Sequence, residues 1–275
     1  MAVTINSSTT SGAIITSDNT GITAIQANNV TSLTADGNGN AIIANNITVG
    51  TSVMGKNTYF QWNSPMFASA NLTGYYGYSG STVVGSTLGN ASFYSVNSGY
   101  SLTTASGQSG SVYWNVPGFD YTKDFEVRLP YYIAGSGTTA ADGMGIIVGA
   151  TTAPTATGTG VQQGTQGLGG LAFTNVTYTN QYTKFNNSAG TQIGQQCSWN
   201  TSPTNGWCFY TLRVKTQSGK RIASVYFNGI LQNAIDITSG NGTGVTFGGG
   251  YLTIFAYSGG VGSNNCFNQV ELVYI

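Results

Sequence analysis

The chain contains no histidine. That excludes Ser-His-Asp triads and most zinc sites. Charge is nearly as scarce: eight Lys plus Arg balance eight Asp plus Glu, 6% of 275 residues. Phosphate binding needs a basic face, and the basic residues are scattered apart from Lys215, Lys220 and Arg221. Nucleic acid is therefore excluded as a partner. No apolar run of about 18 residues occurs, so no membrane insertion is expected. Lys, Glu, Leu and Ala are too sparse to build an amphipathic helix. Three cysteines, Cys197, Cys208 and Cys266, are an odd number and argue against a disulfide framework. Cys197 and Cys208 bracket "SWNTSPTNGW" and could pair; otherwise all three are buried thiols. The run "GTGVQQGTQG" has glycines but no lysine, so it is no phosphate loop. The opening "MAVTINSSTT" shows neither a basic n-region nor an apolar h-region, so no Sec-type signal is expected.

What is present is 40 glycines, 17 tyrosines and abundant Thr, Ser and Asn. These favour strands joined by tight turns, and the predicted fold class is all-β. From Tyr59 onward, β-rich segments recur: "GSVYWNV", "DFEVRLPYYI", "GMGIIVGA", "GLAFT", "CFYTLRVKT", "RIASVYFNG", "YLTIFAY" and "NQVELVYI". Asn228-Gly229, between strand patterns, predicts a type I′ hairpin. Many short strands with turn punctuation predict an antiparallel sandwich. Residues 1–55 differ, with no aromatic residue and a repeated A-N-N-[VI]-T at 27–31 and 44–48. They read as short strands closed by turns such as Asp36-Gly37 and Asn38-Gly39. So small a segment buries little apolar area, so it is expected to be a docking or oligomerisation arm on a 56–275 domain.

One scarce carboxylate, Asp142, sits in "TTAADGMGIIVG" directly ahead of an apolar strand. It is a turn former, a structural anchor or a contact for a polar ligand. Read in order, the strands resemble the legume-lectin-like, concanavalin A-like jelly roll over residues of about 60–275. "YSLTTASGQSGSVYWNVPG" resembles its early strand pair and "DFEVRLPYYIAG" its next core strand. "ADGMGIIVG" resembles its A-D-G strand and "GLGGLAF" its glycine-rich loop and strand. "RIASVYFNG" and "YLTIFAYSGGVGSNNCFNQVELVYI" resemble the back hairpin and terminal strands.

The resemblance implies carbohydrate binding. Asp142 with Gly143 would accept hydrogen bonds from sugar hydroxyls, and Gly169 or Gly170 would donate backbone N–H groups. Tyr257, Ser258 and Gly259 would close the other side, with Asn186 and Asn187 bracing the loop. Trp199, Tyr178, Tyr182 and Tyr257 are candidate stacking platforms, whereas Trp207 is expected in the core. One departure matters. Where the family's V-E-F-D-T carboxylates hold calcium and a transition metal, "VTYTN" offers Thr177 and Thr179, and "LAFTN" offers Ala172 and Thr174. No metal site and no cofactor are expected.

The fold class also hosts glycoside hydrolases, which need two carboxylates on one strand face. The close acidic pair, Asp124 and Glu126, is expected to be a solvated strand entrance with Lys123 and Arg128 as partners. No catalytic residue is assigned. An aromatic-free leader before a lectin-like head is similar to virion fibre, spike or capsid-decoration proteins. That implies a homo-oligomer on a virion surface, contacting glycans through the head and other virion proteins through the arm. A purely structural virion protein and a secreted bacterial adhesin are the alternatives.

Overall fold

The computed structural model describes residues 23–27, 30–35, 41–43, 47–49, 52–54, 58–63, 72–76, 81–94, 99–134, 142–155, 167–178, 181–200, 206–238, 243–259 and 264–275. Its contacts divide into two compact units, Met1–Lys56 and Asn57–Ile275.

The first unit holds β1 (Thr23–Ala27), β2 (Val30–Ala35) and β3 (Ala41–Ile43) in one antiparallel sheet. β4 (Ile47–Val49) and β5 (Ser52–Met54) form a separate pair. Val30 and Ile47, the apolar members of the two A-N-N-[VI]-T copies, open β2 and β4. The turn signals Asp36-Gly37 and Asn38-Gly39 lie outside the described residues.

The second unit begins with β6 (Thr58–Asn63), β7 (Thr73–Tyr76), β8 (Ser81–Val84), β9 (Ser86–Gly89), β10 (Ser92–Tyr94) and β11 (Gly99–Thr103). Then come β12 (Gln108–Asn115), β13 (Phe125–Ala134), β14 (Gly143–Ala150), β15 (Leu171–Val176), β16 (Tyr182–Asn186) and β17 (Gln192–Ser198). The last are β18 (Gly206–Gln217), β19 (Lys220–Phe227), β20 (Ile230–Asp236), β21 (Tyr251–Ser258), β22 (Asn264–Phe267) and β23 (Gln269–Tyr274). No helix occurs among the described residues. A front sheet runs β17-β16-β15-β14-β21-β12-β9. A back sheet runs β10-β11-β22-β13-β23-β6-β7-β8, and β18, β19 and β20 continue it from β13. The fold is an antiparallel β-sandwich, as its composition and punctuation predict.

Strand alternation explains the packing. Along β12, Val112 and Trp114 face the back sheet; along β15, Leu171 and Phe173 do the same. From β18, Cys208, Tyr210, Leu212 and Val214 reach inward to meet them. Trp207 therefore faces outward, 43% exposed and beside Tyr132, rather than in the core as expected. β13 gives one edge to β18, and its other edge first to β23 (Phe125–Arg128), then to β22 (Tyr131–Ala134). Pro130, which has no N–H to donate, falls at that changeover. The β19–β20 hairpin has φ of 49° at Asn228 and 81° at Gly229, as a type I′ turn requires.

β14 is buried at all eight positions. On its outer face, Ile147 joins Ala172, Phe255, Ala150 and Leu168 in a second small apolar cluster. Gly145 leaves room for the Phe255 ring, since a Cβ there would meet Cζ at 2.2 Å. In the main core, Phe173 contacts the rings of Phe185, Tyr210 and Phe227. Phe173→Ala should cost about 3–5 kcal/mol. Urea denaturation should show it as a lowered midpoint with an unchanged slope.

Candidate functional site

Asp142 lies one residue before β14, held on both sides by its backbone. Its N–H donates to the Tyr257 carbonyl at 2.8 Å, and its carbonyl accepts the Thr177 N–H at 2.8 Å. These bonds extend the pairing of β14 with β21 and β15 by one step. The carboxylate has no hydrogen-bond or ion-pair partner among the described residues. It rests against Gly259, where an added Cβ would lie 2.8 Å from Oδ1 and 3.0 Å from Oδ2. Only glycine leaves that approach open. Partial burial, with no cation among the described residues to offset it, pushes the Asp142 carboxyl above its usual pKa.

Beside it the outer face of the front sheet forms a floor and two walls. Tyr257 pairs with Gly143, Gly143 with Val176, and Val176 with Tyr182. Their neighbours Met144 and Ala256 face the core, so alternation puts these four on the opposite face. Gly143 (φ +143°) carries no side chain and Val176 is buried, so the floor is low. Two partly exposed tyrosines stand on either side, three strand spacings or about 14 Å apart. Ser109 pairs with Tyr257 and extends the row, and Tyr178, 49% exposed, stands just beyond β15.

The predicted residues thus divide. Asp142, Gly143, Tyr257, Ser258 and Gly259 come together, but Gly169, Gly170 and Asn186 do not join them. β14 and β15 are antiparallel, so the loop entering β15 sits at the opposite end from the loop entering β14. The separation is roughly the length of β14, about 23 Å. The N–H of Gly169 already bonds the Ser188 carbonyl at 3.1 Å, and that of Gly170 the Thr246 carbonyl at 3.0 Å. Neither is free to donate to a ligand. Both are glycines for backbone reasons, with φ of +88° and +69°. Asn186 pairs with Ala172 at the same far end and donates to the Gly190 carbonyl at 2.9 Å. Asn187 does brace a loop, through the Thr243 carbonyl at 2.8 Å, but not the loop beside Asp142.

Calcium does not fit the residues present. Ala172 and Thr174 lie within β15, Thr177 just after it, and none carries a carboxylate; Thr179 is outside the described residues. Among the described residues no three His, Cys, Asp or Glu side chains cluster. The neighbouring inward position of β15, Asn175, belongs to a neutral relay. The Trp199 indole N–H donates to Asn175 Oδ1 at 2.7 Å, and Asn175 Nδ2 donates to the Tyr210 hydroxyl at 3.0 Å. It ties the end of β17 through β15 to the back sheet. The clue in "LAFTN" was a polar residue at an inward position, in step with Leu171 and Phe173.

The acidic pair at the start of β13, Asp124 just before it and Glu126 within it, is committed to cations. Glu126, 3% exposed, accepts Arg128 Nε at 2.7 Å and Arg213 Nε at 2.6 Å. Asp124 accepts Arg221 Nη1 at 2.5 Å and the Thr216 N–H at 2.8 Å. Desolvation alone would raise its pKa, but Thr216 and Arg221 outweigh it and hold the carboxyl low. The partners are therefore Arg213 and Arg221 as well as Arg128, while Lys123 turns to Asp120 at 3.9 Å. Cys197, Cys208 and Cys266 are free thiols.

Two packed antiparallel sheets, with an aspartate clamped at the head of a buried central strand, settle the architecture. The fold is that of the legume-lectin-like carbohydrate recognition domains. The VIP36 exoplasmic/lumenal domain, in its Ca2+/Man3GlcNAc-bound form, is 19% identical with a TM-score of 0.51; 70% of this chain and 83% of that one are covered. The potassium-bound carbohydrate recognition domain of Emp46p is 7% identical with a TM-score of 0.53, covering 69% and 88%. A legume lectin-like domain from Entamoeba histolytica is 14% identical with a TM-score of 0.50, covering 70% and 90%. No protein-family model and no curated protein sequence matches the chain.

Two outcomes follow, one from the relay and one from the Asp142 carboxylate. Asn175→Ala strands the Trp199 indole and the Tyr210 hydroxyl, and should cost about 1–3 kcal/mol in denaturant unfolding. Asp142→Asn should raise the melting temperature at neutral pH. A carboxyl raised in the folded state opposes folding once ionised, so the gain should vanish as pH falls through its raised value towards the unfolded 3.8.

Proposed function

We propose that the second unit is a non-enzymatic carbohydrate-binding head, and that it displays the Asp142 rim to glycans. The single observation behind this reading is the Asp142 carboxylate: ionisable, partly buried, unpartnered among the described residues, and kept accessible by Gly259. In a chain with 6% charged residues, an unpaired buried-side carboxylate has a cost that a ligand would offset. A sugar hydroxyl satisfies it with a charge-assisted hydrogen bond. Tyr257 and Tyr182 flank a floor low enough for a ring to lie across Gly143 and Val176, and their faces suit stacking on sugar C–H groups. Of the neighbours in fold, VIP36 has been seen with Man3GlcNAc, which supports a glycan ligand by analogy of fold alone.

The surrounding context we propose is a virion surface protein: a fibre, spike or capsid decoration whose first unit docks it or joins its copies. The aromatic-free composition of residues 1–55 supports that reading. Many copies on one particle would multiply a weak single-site affinity by avidity. The lost carboxylates of the metal site favour the competing reading of a purely structural module.

A glycan array probed with a multivalent display of the whole chain separates the two. The expected result is binding to a defined glycan set that Asp142→Ala abolishes and that EDTA leaves intact. Absence of binding by the wild-type display would leave the structural reading in place.

A further inference from the structure

The end of the sandwich opposite Asp142 carries a cavity of about 390 Å³. Its lips are the segments 115–122, starting at the last residue of β12, and 247–250, preceding β21. They are joined by the Val116 N–H, which donates to the Gly250 carbonyl at 2.7 Å. The volume falls in the range of roughly 300–1,000 Å³ that small-ligand sites occupy.

The first lip is held rigidly. The Tyr59 hydroxyl donates to the Pro117 carbonyl at 2.7 Å, and the Asp120 N–H donates to the Tyr274 hydroxyl at 2.8 Å. Phe119 stacks on Tyr274 at 4.5 Å with an interplanar angle of 5°. Arg221 Nη2 donates to the Tyr121 carbonyl at 3.1 Å. Side chains from β6, β19 and β23 thus fix a loop before any ligand arrives, which lowers the cost of binding.

The lining chemistry is specific. Tyr121 and Phe247, both partly exposed, stack at 5.1 Å and 9° and form an aromatic wall. Asp120 Oδ1 accepts both the N–H and the hydroxyl of Thr122, at 3.0 and 2.5 Å. Its Oδ2 has only Lys123 Nζ, 3.9 Å away, and keeps acceptor capacity. The exposed Asn115 amide makes no hydrogen bond with any described residue; its Oδ1 lies over Gly250, where a Cβ would come within 2.6 Å. Among the described residues no Lys or Arg lines the cavity, and the nearby Lys123 is paired with Asp120, so phosphate, sulfate and carboxylate ligands find no free counter-charge there. A purely apolar ligand would leave Asn115 and Asp120 unsatisfied.

We propose that this cavity is a second ligand site, for a neutral polyhydroxylated ring such as a hexopyranose. Asp120 accepts ring hydroxyls, Asn115 donates and accepts beside it, and the exposed ring surface of Phe247 and Tyr121 takes the C–H face. This assignment is independent of the Asp142 rim. If both sites bind, one chain holds glycans at both ends of its sandwich.

The test is an amide-resolved NMR titration of the full chain with methyl glucoside, methyl galactoside, methyl mannoside and N-acetylglucosamine in turn, and with glucuronate as the anionic probe. Expected are saturable shifts at the Gly248, Gly249, Gly250 and Thr122 amides with at least one neutral probe, and weaker ones with glucuronate. Asp120→Asn and Asn115→Ala should each raise Kd about tenfold or more, and Asp142→Ala should leave it unchanged. Should Asp120→Asn disturb the Thr122 turn, Asn115→Ala carries the test alone, since that side chain holds no other described residue. No shift at these amides with any neutral probe, shifts insensitive to both variants, or tighter binding of glucuronate would each overturn the proposal. A response at Tyr257 and Gly143 that disappears in Asp142→Ala reports on the rim alone.

Discussion

An aromatic layer between two sheets is the constraint on which the rest of this molecule depends. Tyr210 and Phe227 approach to 4.4 Å between ring centres, and Phe173 touches both. Further along, Trp62 packs on Trp114 and Phe267 at 5.7 and 5.1 Å. Aromatic side chains bury large areas and favour tilted or edge-on contacts, so they set the spacing of the sheets and the register of each strand. Once Phe173 and Ile146 are committed inward, Thr174 and Gly145 must face the other way. A one-residue slip would exchange the two faces of the front sheet. The floor beside Asp142 is therefore a by-product of how the core is packed.

Scarcity of charge shapes everything outside that layer. Most described carboxylates have been given a task by their neighbours: Glu126 bridges Arg128 and Arg213, Asp124 joins Arg221, and Asp236 faces Lys220. These pairs sit on the back sheet or at its edge, where they join neighbouring strands. Across the sandwich itself, an indole, an amide and a phenol form a neutral chain. Such a chain needs no counter-ion and loses little to desolvation once every donor is paired. Against that background Asp142 stands apart, because its backbone is fully engaged and its carboxylate is not.

The two ends of the sandwich are built differently. At one, a strand start and a strand end clamp a single aspartate beside a tyrosine-flanked floor. At the other, aromatic side chains from distant strands pin a loop against a glycine run. Gly249 and Gly250 have no room for a side chain, Gly249 because the Ala150 carbonyl lies 2.0 Å from its Cβ position. Glycine there serves close backbone approach rather than flexibility.

Much of this was legible in the residues themselves. Period-two alternation in "GSVYWNV" and "CFYTLRV", the Asn228-Gly229 turn and the want of helix formers determine an antiparallel sandwich, because each is a local property of a few neighbouring residues. The A-D-G motif marks Asp142 as the start of a strand for the same reason. Which loops share an end of the sandwich is not local. It follows from β14 pairing with β21, more than a hundred residues away in sequence, and from β15 running back alongside it. That arrangement placed Tyr257 and Tyr182 beside Asp142 and carried Gly169, Gly170 and Asn186 to the far end. It also turned Trp207 outward and Asn175 inward, since a side chain's face depends on the sheet its strand joins. Composition and turn chemistry determined what the strands are; only their long-range pairing decided which side chains meet.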